Sequence, residues 1–305
     1  MKKILILLLF MAFFAAPAFA LFDVSYWGVR AMGMGGAFTA VADDVQSPIY
    51  NIAGIGGMKK AEATFMSAKL FSGLDGFDMS TDYLGFVYPI SKEAGSVSIN
   101  WSYFGDTGLR REDSVNMGYA RSLDDVFDSD WVSLMAGLNL RYMRQEVKYK
   151  GSDLSRAAFA FDVGFLARFE YGISAGFSGR YVNKPDIGFK MEDKVKPTSV
   201  FGLSYFNEDL PLLGIPYFTA ALDYEMREGD NTLIFGVESR VIDGNLSLRA
   251  GGWMEQINFG LGYGIDFGRA EKKSRLMIDY AFGLPIGGIK ESTGSHFLSL
   301  TFRFP

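Results

Sequence analysis

The chain has 305 residues, a formal net charge of −5, no cysteine, 36 glycines, and apolar and aromatic shares of 49% and 15%. Its acidic balance argues against a nucleic-acid partner, which leaves a basic footprint. The lack of cysteine excludes a disulfide framework and acylation of the lipoprotein kind, so stability must come from burial or from a bilayer.

The first twenty residues, MKKILILLLFMAFFAAPAFA, place Lys2 and Lys3 before an unbroken apolar stretch that ends in Ala18-Phe19-Ala20. Charged head, apolar run and small-residue cleavage site make a secretory signal peptide, residues 1–20, cut after Ala20. The mature chain is expected to begin near Leu21, outside the cytoplasm. No later run reaches about 18 apolar residues, so no membrane-spanning helix is expected.

Residues 21–60 come next and hold RAMGMGGAFTAVADDVQSPIYNIAGIGG, from Arg30 to Gly57. Gly33 and Gly35 begin a dinucleotide-type spacing, but Phe38 stands where the third glycine belongs, and no Lys-Ser or Lys-Thr pair follows for a P-loop. A phosphate cradle is therefore excluded, and neither a cofactor nor a metal is expected. The segment is too apolar for a linker and too short for a domain.

From residue 61 to 305 the period is two. In QINFGLGYGIDFG, Ile257, Phe259, Leu261, Tyr263, Ile265 and Phe267 fall on one face, and Asn258, Gly260, Gly262, Gly264, Asp266 and Gly268 on the other. Similar segments lie at 63–71, 83–90, 97–104, 114–121, 132–142, 157–169, 172–182, 199–206, 217–227, 233–241, 246–253, 276–284 and 296–305. Alternation is mixed in the first, second and fourth. With 256–268 these make about 14 strands, most of roughly 9 to 12 residues, the length of a tilted bilayer-spanning strand and longer than common soluble ones. The polar face carries Asp162, Arg168, Arg180, Glu238, Arg240, Arg249, Asp266, Asp279 and Arg303. One arginine at mid-bilayer costs about 2 to 4 kcal/mol, so these charges must look inward and the greasy face outward. The expected fold is all-β: a transmembrane antiparallel barrel at 61–305, preferred over a soluble two-sheet protein, with outer-membrane lipid as its surroundings.

Short links at 91–93, 170–171 and 243–245 alternate with longer polar ones at 105–112, 145–155, 183–197 and 285–295, as in barrels with external loops. The link 122–130 is long for an internal turn. Its Asp124, Asp125, Asp128 and Asp130 lack the glycine and terminal glutamate of an EF-hand and read as a solvated turn, as do Lys59-Lys60 and Glu271-Lys272-Lys273. Trp101, Tyr103, Trp131 and Tyr142 suit interfacial girdles. Phe304, one place from the end, resembles the C-terminal aromatic signal by which outer-membrane assembly machinery recognises barrels.

Gly28 to Asp44, GVRAMGMGGAFTAVADD, followed by Ile49 to Ile55, IYNIAGI, resembles the N-terminal signature of PorV/PorQ-like and UPF0164 outer-membrane proteins, relatives of FadL-type long-chain fatty-acid transporters. The chain keeps Arg30, Gly33, Gly35, Gly36, Asp43, Asp44, Asn51, Ala53 and Gly54, with Tyr50 where tryptophan is usual and Ile52 where proline is usual. The resemblance implies a 14-stranded barrel in the outer membrane of a diderm bacterium, with residues 21–60 as a luminal hatch. Arg30, Gly33, Gly35, Gly36, Phe38, Asp43, Asp44, Tyr50 and Asn51 would then form the hatch or ligand path.

Three functions compete. Passive uptake of hydrophobic small molecules needs a pocket, for which Met135, Leu166, Val182, Phe206 and Trp253 are inward candidates, alongside ordinary packing against a hatch. The alternative is an accessory or carrier role in type IX secretion, known for PorV-like members, or a structural role in the outer membrane; loops averaging about 5 to 7 residues leave little material for docking large cargo. An enzyme would rest on one histidine, His296, near the last strand, so catalysis is not expected.

Overall fold

The computed structural model describes residues 27–305 except 75, 77, 107, 128, 150–151, 190, 211–214, 270–271 and 288–290. The expected leader, residues 21–26, Asp128 and Glu271 lie outside the described residues.

Fourteen strands form one closed barrel: β1 (Glu62–Ser72), β2 (Met79–Ser91), β3 (Gly95–Asp106), β4 (Arg110–Ser122), β5 (Val132–Tyr149), β6 (Ser152–Phe169), β7 (Ile173–Arg180), β8 (Thr198–Leu210), β9 (Ile215–Arg227), β10 (Asp230–Val241), β11 (Leu246–Trp253), β12 (Gln256–Arg269), β13 (Lys272–Pro285) and β14 (Gly294–Arg303). Each pairs antiparallel with its sequence neighbours, and β1 closes on β14 with Glu62 opposite Arg303. Closure leaves no sheet edge running the length of the wall. We call the end where β1 begins and β14 finishes the terminal mouth, and the other the distal mouth. Among the described residues no helix is long and apolar enough to cross a membrane.

The alternation becomes two surfaces. Leu138 is 63% exposed while its neighbour Asn139 is 2% exposed. Phe259, Leu261 and Tyr263 are exposed outward, whereas Asn258 and Asp279 are buried inward. An apolar outer face of this extent is covered by hydrocarbon, and the barrel spans a bilayer. The mixed alternation of β1 and β2 has a cause inside. Met66, Leu70, Tyr83 and Val87 point inward and are buried against the N-terminal segment, which supplies apolar contacts where other strands meet polar groups.

The connections differ from expectation. β5 and β6 continue as paired strands to Tyr149 and Ser152, so the long link expected at 145–155 is instead an extended hairpin. The link at 105–112 shrinks likewise, because Asp106 still pairs with Arg110. Alternating polar residues near a loop carry the same hydrogen-bonding backbone as the greasy strand below, and only composition had marked the boundary. Tyr142 consequently lies within β5 rather than near its end, and Trp101 within β3.

The distal connection 181–197 remains long. Tyr181, Ile187 and Val195 are buried against Met143 and Ala160 on the inner face of the β5–β6 hairpin. Beyond the end of β7, the Asn183 side chain takes over as the partner of β6: its Oδ1 accepts from Phe161 N at 3.0 Å and its Nδ2 donates to Phe159 O at 2.9 Å.

Residues 27–58 lie inside the barrel. They include α1 (Val29–Gly33), α2 (Ser47–Tyr50) and a 3-10 turn, Ile52–Gly57. Helix α1 packs on β11 to β14, and the 3-10 turn on β2 to β6. Backbone meets backbone in this packing. A Cβ on Gly35, whose φ is +68°, would lie 2.1 Å from Gly252 N, and one on Gly176 would lie 2.4 Å from Thr39 O. Only glycine permits either approach.

Candidate functional site

Seven of the residues singled out from sequence meet in one ion network on the inner wall. Arg30 Nε donates to Glu238 Oε2 at 2.8 Å and its Nη2 to Oε1 at 2.9 Å, while Nη1 reaches Asp44 Oδ2 at 2.9 Å and also bonds Asp43. Glu238 further receives Arg249 Nε at 2.6 Å and Arg240 Nη2 at 2.9 Å, and Arg249 Nη1 continues to Asp279 at 2.6 Å. Three arginines and four carboxylates thus share six ion pairs, the one between Arg30 and Glu238 being bidentate. Burial disfavours the charge on Asp43, yet Arg30, Arg240 and Arg168 outweigh it and hold this carboxyl below its usual range. Phe38 lies beneath the Arg30 guanidinium, 5.2 Å from the ring centroid, and meets Tyr50 edge-on at 5.5 Å.

Hydrogen bonds outside the ion network tie the rest of the segment to the wall. The Asp223 carboxylate accepts the backbone N–H groups of Phe38 and Thr39 at 3.0 and 2.9 Å. Asn51 donates to Thr39 O and Phe165 O, both at 2.9 Å, while its Oδ1 accepts from Ala53 N at 3.1 Å and caps the 3-10 turn. Asn258 donates to Met32 O, Arg168 to Ala42 O and Tyr83 to Val45 O. Tyr50 bonds Trp27 O within the segment. Gly33 abuts Gly260, and Gly36 adopts φ +89° with open space around it. Asp223, Asn258 and Tyr83 were not among the expected site residues, although Asn258 already stood on the polar face of 256–268. The first two carry inward parity on their strands, and polar residues on that face were the available signal.

The remaining inward charges stay apart from this network. Asp162 pairs with Arg141 at 2.8 Å, Arg180 with Glu225, Asp266 with Arg275 at 3.2 Å and Arg303 with Glu62. Asp266 is exposed.

The expected apolar pocket needs correction. Met135 and Leu166 are buried together against Ala53, toward the terminal mouth. Val182 is 46% exposed because β7 ends before it, and Phe206, 39% exposed, lies toward the terminal end of β8. Of the five candidates, Trp253 alone joins the large apolar cluster near the distal mouth. There Trp27, Leu70, Tyr83 and Phe297 are buried, with Phe71, Met79, Phe104, Ile234 and Trp253 packed around them. The signal was present as the irregular alternation of the first two strands. The charges therefore serve the inner segment, and the apolar side chains gather on its distal side.

His296 faces outward on β14. Its Nδ1 lies 2.8 Å from the Tyr280 hydroxyl, and its ring lies 5.2 Å from that of Phe282. Among the described residues no group of three or more acidic or histidine side chains could hold a metal.

No family model matches the chain, and no curated protein does. Several solved structures share its fold. The CymD monoaromatic hydrocarbon channel is 12% identical, with 91% of this chain and 97% of that one covered at a TM-score of 0.59. A Pseudomonas aeruginosa FadL homologue is 10% identical, with 92% and 98% covered at 0.57. The Ralstonia pickettii toluene transporter TbuX is 10% identical, with 93% and 99% covered at 0.58. At such identities the likeness is one of fold: a 14-stranded barrel of the FadL type.

Proposed function

We propose that this protein is an outer-membrane barrel that admits small hydrophobic molecules, fatty acids or similar compounds, by passive uptake. The partly buried Phe71, Met79, Phe104, Ile234 and Trp253, packed over the buried Leu70 and Phe297 at the distal mouth, carry this reading, because they offer a greasy surface on the distal side of a segment that crosses the lumen. The distal mouth would then face the outside, with residues 21–60 as a hatch. Likeness of fold to channels and transporters of hydrophobic compounds supports the reading. So does the N-terminal signature, on which kinship with PorV/PorQ-like proteins rests, together with export through a cleaved signal peptide and assembly through β14 and the Phe304 that follows it.

Uptake of a fluorescent fatty acid and of toluene into proteoliposomes tests it. The expected result is faster entry of both than into protein-free vesicles, with no gain for sugars of similar size. Equal rates with and without protein would overturn the reading. Deleting residues 31–55 tests the hatch separately: single-channel conductance should rise, and an unchanged conductance would mean that the segment does not stopper the pore.

A further inference from the structure

The acidic connection 123–131 between β4 and β5 has no part in that reading, and its shape is specific. Leu123 O accepts the N–H groups of Val126 and Phe127, both at 2.9 Å. The Asp124 carboxylate accepts from Leu134 N at 3.1 Å and Ser133 Oγ at 3.0 Å. Arg121 pairs with Asp125. These bonds fold the chain back along the outer wall, so that Phe127 and Trp131 stand beside Val132, Leu134 and Phe169. Together they border a groove of about 620 Å³, with Ser129 and Asp130 as its polar lining. Trp131 stacks on Phe169 with centroids 6.0 Å apart.

The groove is continuous with the lipid-facing surface. Val132 and Leu134 share the outward parity of Leu138 on β5, and Phe169 that of Phe165 on β6, both exposed. Whatever fills the groove therefore reaches it from hydrocarbon. Phe127 and Trp131 are themselves exposed, and Trp131 has the amphipathic ring that settles at headgroup level. The carboxylates differ in what they have left to offer: Asp124 is engaged by hydrogen bonds and Asp125 by Arg121, whereas Asp130 has no ion-pair partner among the described residues. A lone carboxylate at the polar lip of an apolar groove attracts a cation.

We propose that this groove binds one phospholipid of the leaflet bordering the terminal mouth, an acyl chain lying against Phe127, Leu134 and Phe169 and a primary-amine headgroup meeting Asp130. The site needs only the bilayer-spanning barrel and is independent of what the lumen carries.

Native mass spectrometry of the detergent-purified protein, titrated with equal amounts of phosphatidylethanolamine and phosphatidylglycerol, tests it. One phosphatidylethanolamine should be retained in preference by about threefold, the size an exposed ion pair supplies. Asp130→Asn should bring the two lipids to parity, and Phe127→Ser should lower retention of both. Gel mobility of unheated samples reports whether each variant keeps a folded barrel. Equal retention by the unmodified protein, a preference that survives Asp130→Asn, or a protein co-purifying on this face without lipid would overturn the proposal.

Discussion

Arg30 and Glu238, 208 residues apart in the chain, are joined by two parallel hydrogen bonds of 2.8 and 2.9 Å, and so pin the inner segment to β10. Glu238 also answers Arg249 and Arg240, so its loss strands buried cations rather than removing one contact. Glu238→Ala should destabilise the folded state by about 3–5 kcal/mol, the cost of breaking a buried ion pair from one side. Urea unfolding in detergent measures this. Adding Arg30→Met should recover part of the loss.

Gly35 tests the contact between segment and wall by steric means. A valine there would combine a left-handed backbone with a side chain driven into Gly252. Protease cleavage within residues 27–58 should become faster while the barrel stays intact on an unheated gel. Gly36→Ala, with open space around it, should have a smaller effect.

The distal apolar cluster makes a positional prediction about uptake. Phe104→Ala and Trp253→Ala should each lower the entry rate of a hydrophobic probe into proteoliposomes. Val182→Ala and Phe206→Ala, which lie outside the cluster, should leave it unchanged. Equal losses in all four would detach the rate from this cluster.

Leu261 reports on the bilayer itself. It is exposed at the centre of β12, so Leu261→Arg should cost about 2–4 kcal/mol in folding into lipid vesicles. Leu261→Phe should be close to neutral.

Asp186 organises the distal connection by accepting the N–H groups of Gly188 and Asp193, both at 2.9 Å, and these bonds hold its carboxyl below the usual range. A lowered value means that the charged form favours the folded loop. The contribution is complete above the ordinary carboxylate value and fades as pH falls through the depressed one. Asp186→Ala should speed hydrogen exchange of residues 186–194 at neutral pH, and strongly acid conditions should do the same to the unmodified protein.

Much of the barrel was legible beforehand because a strand exposes alternate residues to opposite surroundings, and here those surroundings are lipid and a polar interior. QINFGLGYGIDFG showed its two faces without any knowledge of its neighbours. The strand ends were not legible, since Arg144 or Ser155 fits a paired hairpin above the bilayer as well as a loop. Val182 and Phe206 stay out of the apolar cluster for a related reason: parity names a face, but only the end of β7 and the height along β8 decide what that face meets.

The sequence by itself determined a closed, lipid-facing, 14-stranded wall and the set of charges that turn inward, because burying arginine in hydrocarbon is too costly for any other register. Tertiary structure alone decided which of those charges meet. Arg30 could have paired with any luminal carboxylate, and the choice of Glu238, Asp43 and Asp44 follows from the path of residues 27–58 across the barrel. Long-range pairing of this kind leaves no local periodicity, since it depends on distances that exist only once the strands have closed.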